Sequence, residues 1–107
     1  MWIVADVIGA AFEVSIAALM GKGREKRISH VRKIALCLLT ESYKQQLSQR
    51  EIGMFLGRDS AAVSRAKLYV AGLEQQRVVF KQELDLIRSQ IRRALEMRQS
   101  TKDSLGL

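Results

Sequence analysis

Ser48-Gln49-Arg50-Glu51-Ile52-Gly53-Met54-Phe55-Leu56-Gly57-Arg58-Asp59-Ser60-Ala61-Ala62-Val63-Ser64-Arg65-Ala66 is the stretch whose reading decides the fold. Ser48 followed three residues later by Glu51 has the form of a capping box, so a short helix starts at Gln49. That helix ends near Leu56-Gly57, where glycine supplies the positive φ of a tight turn. Asp59 then caps a second helix that points Val63, Ala66, Val70 and Leu73 inward. Numbered from Gln49, an apolar residue stands fourth (Ile52), a small one fifth (Gly53) and glycine ninth (Gly57). Gly53 lets the two helices approach closely, and the apolar set fixes their crossing. Two short capped helices across a glycine turn predict a helix-turn-helix, with a plain αα-hairpin as the competing reading.

The flanks extend the helical pattern. Apolar residues recur at three- or four-residue intervals and proline is absent, so the spacing predicts an all-α bundle of about five to six helices. A first helix places Ile3, Val7, Ile8, Ala11 and Phe12 on one side. Ser15 caps a second that runs to Met20 and stops at Gly21 and Gly23. Ser29 is expected to cap the third, with Val31, Ile34, Ala35, Leu38 and Leu39 inward and Arg32 and Lys33 on the outer face of its first turn. A polar joint covers Ser42 to Leu47. The last helix starts near Val78, after Arg77, and carries Phe80, Leu84, Ile87, Ile91 and Ala94 at heptad-like intervals. The expected organisation is one domain over residues 1–107, with a core of about 3–91 and a protruding or disordered end over 92–107.

Charge narrows the function. The 107 residues carry 18 Lys+Arg against 11 Asp+Glu, a net +7 with pI about 10.1. Lys22, Arg24, Lys26, Arg27, Arg32 and Lys33 face only Glu25 between positions 22 and 33, so +5 of that excess is local. A concentrated cationic segment favours an anionic partner, nucleic acid before an acidic protein or a membrane surface. The longest apolar stretch, Val7 to Met20, is interrupted by Glu13 and is shorter than the ~20 residues a bilayer demands, so no leader or membrane span is expected. One cysteine excludes a disulfide framework, and with a single histidine it cannot complete a structural zinc site. A cytoplasmic, nucleoid-associated protein without metal or cofactor is expected.

The outer face of the second hairpin helix bears Ser60, Ala61, Ser64 and Arg65. A small first turn lets a backbone come near base edges: Ala61 suits a thymine methyl, the serines suit donor or acceptor edges, and Arg65 suits phosphate or guanine.

Taken together, Glu51-Ile52-Gly53, Gly57-Arg58-Asp59, Val63 and Ala66 resemble the C-terminal DNA-binding domain of the bacterial chromosomal replication initiator DnaA, a Trp repressor-like helical fold. The resemblance extends upstream through Val14-Ser15-Ile16, Leu19, the basic loop and Arg32-Lys33-Ile34-Ala35, and downstream through Leu73, Phe80, Leu84 and Ile87. It covers roughly residues 3–91. What it implies is major-groove reading by the helix after the glycine turn and entry of a loop arginine, here Arg24, into the minor groove. Lys22, Lys26 and Arg32 fall at basic family positions that hold phosphates, and Lys33 at a polar one. Asp59 matches an aspartate that caps the helix and faces a base edge.

Departures are also visible. Ser60, Ala61 and Ala62 stand where the family has a base-reading histidine and two threonines, so the family's nonamer box is not carried over as the target. Arg50 replaces a proline beside the groove, Leu56 replaces one of paired glycines, and about two extra residues sit in the joint from Tyr43 to Leu47. No Walker A loop occurs in the 107 residues.

The DNA-contact candidates are Lys22, Arg24, Lys26, Arg32, Lys33, Ser48, Arg50, Arg58, Asp59, Ser60, Ala61, Ala62, Ser64 and Arg65. No catalytic, metal or cofactor residue is assigned. The expected activity is double-stranded DNA binding by a small non-enzymatic regulator of transcription or replication. The alternative is a protein-interaction module without DNA activity, pairing with itself or a larger partner through the last helix. Cys37 reads as a small core residue, His30 as an ordinary exposed histidine, and Glu83, Asp85 and Asp103 as solvated charges. Trp2 and Tyr43 are expected to cover the core.

Overall fold

The computed structural model describes the backbone of residues 1–104 and the side chains of residues 1–98. Six helices follow one another: α1 (Trp2–Phe12), α2 (Ile16–Met20), α3 (Lys26–Ser42), α4 (Gln49–Phe55), α5 (Ser60–Gln76) and α6 (Val78–Ser104). The chain is all-α over these residues, as its periodicity predicts, and none of the helices is long and apolar enough to cross a membrane. The expected end beyond Ile91 is helical as far as Ser104. The side chains of Lys102 and Asp103, and residues 105–107 altogether, lie outside the described residues.

α3 is the central rod. It packs against α1, α2, α4 and α5, and every residue from Ile34 to Thr40 is buried. A helix covered on all sides is apolar on more than one face, which the run Ile34-Ala35-Leu36-Cys37-Leu38-Leu39 satisfies. Thr40 Oγ1 meets its burial requirement by donating 2.7 Å back to the Leu36 carbonyl. Burial also pushes the Cys37 thiol up to about 12, with the Glu41 carboxylate adding to the effect. A thiol so protonated is a packing group, in agreement with its sequence reading.

Three expectations are corrected. In α1 the buried residues are Val4, Ala5, Ile8 and Gly9, while Ala11 is exposed, so the inward stripe is turned by about one position. α3 starts one turn before Ser29: Glu25 is its N-cap and accepts from the Ser29 amide through its carbonyl. Ile28 packs on the core and draws that extra turn into the helix. Arg32 therefore lies beyond the first turn and is buried.

The heptad-like residues of α6 are also spent inside the molecule. Leu84, Ile87 and Ile91 are buried, and α6 packs against α1 and α5. Arg88 fastens it further. Its five N–H donors go to Glu41 of α3 (Nε and Nη2, both 2.9 Å), Glu74 of α5 (2.9 and 3.0 Å) and Asp85 (2.8 Å). These carboxylates hold the guanidinium well above its ordinary pKa. Asp85 is thus a partner in an ion network, not simply a solvated charge. Forked arginine-carboxylate pairing of this kind fixes geometry as well as charge.

The hairpin forms as its sequence predicts. Ser48 Oγ accepts from the Glu51 amide at 3.1 Å while Glu51 Oε1 accepts from the Ser48 amide at 3.2 Å. Asp59 accepts from the Ala62 amide at 2.8 Å. Gly57 has φ 69°, and Gly53 lies against the backbone of the turn. A Cβ at Gly53 would come within 2.7 Å of the Arg58 carbonyl oxygen and 2.9 Å of that of Asp59. Gly53→Ala is therefore expected to lower stability by about 2–3 kcal/mol in urea denaturation. Gly72→Ala, where a Cβ meets nothing within 4 Å in mid-helix, is expected to raise it by about 0.5–1 kcal/mol. Equal responses from the two glycines would contradict the close approach at Gly53.

Candidate nucleic-acid interface

The interface is built around the end of α2. A short helix leaves its last carbonyls without amide partners, and here they are exposed to two guanidinium groups. Arg32 Nε donates to the Leu19 carbonyl at 2.8 Å, and its Nη2 donates to those of Ala18 and Gly21 at 3.2 and 2.9 Å. A longer contact, 3.5 Å, reaches the Gly23 carbonyl from Nη1. Arg58, from the glycine turn, donates to the same Gly21 carbonyl at 2.8 Å and to that of Gly57 at 3.1 Å. Burial, and then Arg58, push the Arg32 guanidinium down from its ordinary pKa. It stays charged at neutral pH because that value starts so high.

The outward placement of Arg32 is thereby corrected. Its donors are committed to backbone carbonyls, and it holds the basic loop instead of projecting from it. Arg58 shares that task. Arg27 adds a third tether, from its Nη2 to the Phe12 carbonyl at the end of α1. Between these anchors Lys22, Arg24 and Lys26 are exposed, and among the described residues none of them has a hydrogen-bond or ion-pair partner. Fixed backbone and unspent cations together make an electrostatic surface aimed by the fold.

Two hollows extend this surface onto the hairpin. One of about 510 Å³ is lined by Arg50, Met54, Gly57, Arg58, Asp59 and Ser60, and therefore joins α4 to the start of α5. A smaller one, about 170 Å³, lies between α3 and α5 and has Ser29, Arg32, Lys33, Arg58, Ala62 and Arg65 in its wall. Arg58 borders both. Lys33 Nζ stands 4.3 Å from the centroid of the Tyr69 ring, a cation-π contact that directs it toward α5.

In the first two turns of α5, Ser60, Ala61, Ser64 and Arg65 are exposed, whereas Ala62 packs on the core and offers little outward surface. Ser64 Oγ accepts 3.3 Å from Gln49 Nε2, and Lys67 Nζ donates 3.2 Å to Gln49 Oε1, so side chains also clamp α4 to α5. Ser48 is not gathered with the rest. Its hydroxyl serves the α4 cap and borders a separate hollow of about 490 Å³ with Cys37, Glu41, Lys67 and Glu74.

His30 departs from its expected exposure. It is half-buried, with Nδ1 2.6 Å from the Tyr69 hydroxyl and its ring tilted against Phe80. Burial first, then Lys33 and Arg77, lower its pKa. The contact spans α3 and α5 at a separation of 39 residues, which no local pattern reveals.

A small all-helical body in which a short capped helix and a glycine turn present the exposed first turn of a second helix is a helix-turn-helix domain. The sequence bears this out at the level of family. Residues 3–68 match the family described as bacterial dnaA protein helix-turn-helix, and the chain belongs to it. Membership makes this a DNA-binding domain whose partner is double-stranded DNA. No curated protein matches the chain.

Two outcomes follow from the anchors. Arg32→Lys keeps the charge but not the fork, and is expected to cost about 1.5–3 kcal/mol in urea denaturation. It should leave the salt dependence of DNA binding unchanged, whereas Lys22→Ala lowers that slope by about 1. Arg32→Gln, which removes the charge, should also leave that slope unchanged, and a slope lowered by about 1 would mean that Arg32 contacts phosphate after all. For His30 the folded pKa lies below the ordinary value of about 6.5, so its contribution to stability is present above that value and is lost as pH falls through the folded one. Thermal melts should accordingly show stability declining below about pH 6.5, and His30→Gln should remove that part of the profile.

Proposed function

We propose that the chain is a non-enzymatic, sequence-preferring regulator of transcription or replication that grips DNA in two grooves at once. The first turn of α5 enters the major groove with Ser60, Ala61, Ser64 and Arg65, and Arg24 reaches from the basic loop into the adjacent minor groove. Lys22, Lys26, Lys33 and Arg50 hold phosphates, and Asp59 faces a base edge while capping α5.

The observation that carries this reading is the shared Gly21 carbonyl. Arg58 of the hairpin turn and Arg32 of α3 both donate to it, at 2.8 and 2.9 Å, so the loop bearing Arg24 and the start of α5 are tied through a single atom. Two elements that must enter neighbouring grooves gain affinity when their spacing is set before binding, because no ordering entropy is then lost on contact.

Among the described residues, the cations of the candidate interface without protein partners are Lys22, Arg24, Lys26, Arg50 and Arg65, with Lys33 held only against an aromatic face. If these engage DNA phosphates, log K falls against log salt with a slope of about −5. Filter binding or anisotropy on duplexes of mixed sequence measures it, and a flat response removes the electrostatic basis of the proposal. Arg24→Ala is expected to abolish preference for an A·T-rich flank, at about 1–2 kcal/mol on preferred sites, while Arg65→Ala weakens all sequences alike. Equal losses on every duplex for both variants would exclude minor-groove reading by Arg24.

A further inference from the structure

Basic groups gather around the Tyr69 hydroxyl where α3, α5 and the joint before α6 meet. Nδ1 of His30 stands 2.6 Å from that hydroxyl, Lys33 Nζ lies 4.3 Å from the centroid of the same ring, and Arg77 is close enough to act on His30 as a like charge. The groups that face His30 are thus Lys33 from α3, Tyr69 from α5, Arg77 from the joint and the uncharged Phe80 ring from α6. Among the described residues no carboxylate pairs with His30, Lys33 or Arg77. Burial and those two cations hold His30 below its ordinary pKa. The cluster is one negative group short of balance.

Its position continues the DNA surface. Lys33 shares the wall of the hollow between α3 and α5 with Arg58 and Arg65. His30 precedes Lys33 by three residues and Tyr69 follows Arg65 by four, so each lies beside its neighbour on one helix face. Tyr69 is about 14 Å along α5 from Ser60, and helical side chains lean back toward the helix start. With that start in a groove about 8.5 Å deep, the hydroxyl comes near the level of the groove edge, where the phosphates run.

Protonation changes what the Tyr69 hydroxyl can do. A neutral imidazole with its acceptor at Nδ1 takes the tyrosine hydrogen bond and leaves that hydroxyl no proton to offer elsewhere. An imidazolium carries N–H on both nitrogens, so Nδ1–H donates to the tyrosine oxygen and the phenolic O–H turns to an outside acceptor. A phosphate oxygen accepts that bond, answers the charges of Lys33 and Arg77, and favours the imidazolium.

We infer that this cluster is a further phosphate site on the DNA surface, in which Lys33, Arg77 and the Tyr69 hydroxyl hold one backbone phosphate of bound duplex while His30 takes up a proton. The inference rests on the reading that α5 enters the major groove, and it adds His30, Tyr69 and Arg77 to the contact set. Binding coupled to proton uptake strengthens as pH falls, opposite to the trend in stability of the free chain.

His30 is the only histidine of the 107 residues, so its imidazole resonances can be followed without ambiguity in the full chain. Proton NMR titration with and without a mixed-sequence duplex should show its pKa raised by about 1 unit in the complex. Anisotropy should show affinity rising up to about tenfold between pH 7.5 and 5.5, with circular dichroism checking the fold at each pH. His30→Gln should lose that rise. Tyr69→Phe, which keeps the ring under Lys33, should at least halve the pKa shift, and Arg77→Ala, at an exposed site, should lower the salt slope by about 1. A His30 titration unmoved by duplex overturns the proposal. So does a shift that Tyr69→Phe leaves whole, which is the general field of DNA, or an unchanged slope for Arg77→Ala. Those results leave the two-groove reading standing, since Arg24→Ala and Arg65→Ala test it separately, whereas a chain that binds no duplex overturns both.

Discussion

One carbonyl oxygen sets the relation between the basic loop and the helix-turn-helix. Gly21 ends α2 in an extended conformation, and its carbonyl accepts from Arg32 on one side and Arg58 on the other. Two like charges meeting on one acceptor are unfavourable in isolation, and the lowered pKa of Arg32 reflects its burial first and the neighbouring Arg58 second. What offsets it is the set of carbonyls at the α2 terminus, of which that of Ala18 accepts from the Gly21 amide while those of Leu19 and Gly21 take their donors from the guanidinium groups. Gly57 lies beside the same helix end, within van der Waals reach of the Met20 carbonyl oxygen, and its φ of 69° makes the turn. The basic loop is therefore part of the framework that sets the hairpin, not an appended arm.

This divides the cations into two populations that composition cannot separate. Arg27, Arg32, Arg58 and Arg88 have their guanidinium donors on carbonyls or carboxylates inside the fold. All four are arginines, consistent with the multiple donors in fixed directions that such positions require. Lys22, Lys26 and Lys33 carry compact charges on flexible stems and make no hydrogen bonds among the described residues, which suits contact with a continuous line of phosphates. A net charge of +7 is thus a poor count of what the surface can offer to DNA.

The local devices were legible in the sequence and the long-range ones were not. Ser48 with Glu51, Asp59 with Ala62, and Ser15 with Ala18 act across three residues, where side chain and backbone are brought together by a single turn. Gly53 and Gly57 could be read because a close approach and a positive φ leave only glycine comfortable. Arg32 was misplaced because its acceptors lie 9 to 14 residues back, across a loop, and a basic residue in a basic run looks solvated by default. Arg88 was missed for the same reason, with Glu41 lying 47 residues away. His30 became a half-buried partner of Tyr69 only once α3 and α5 had packed, a tertiary fact without a local signature.

The shortness of the α5 first turn gives the tether its functional weight. Ser60 and Ala61 reach scarcely beyond their own Cβ atoms, Ala62 is turned to the core, and Ser64 already accepts from Gln49. Side chains so short meet base edges only if the helix backbone comes close to the groove floor. Closeness of that kind depends on the cations flanking the helix being seated on phosphate at the same time, which a loosely attached loop would not ensure. Longer readers on α5 would tolerate play in the framework. On the proposed two-groove reading, discrimination by serine and alanine would depend on docking depth, which the Arg32 and Arg58 bonds on Gly21 constrain.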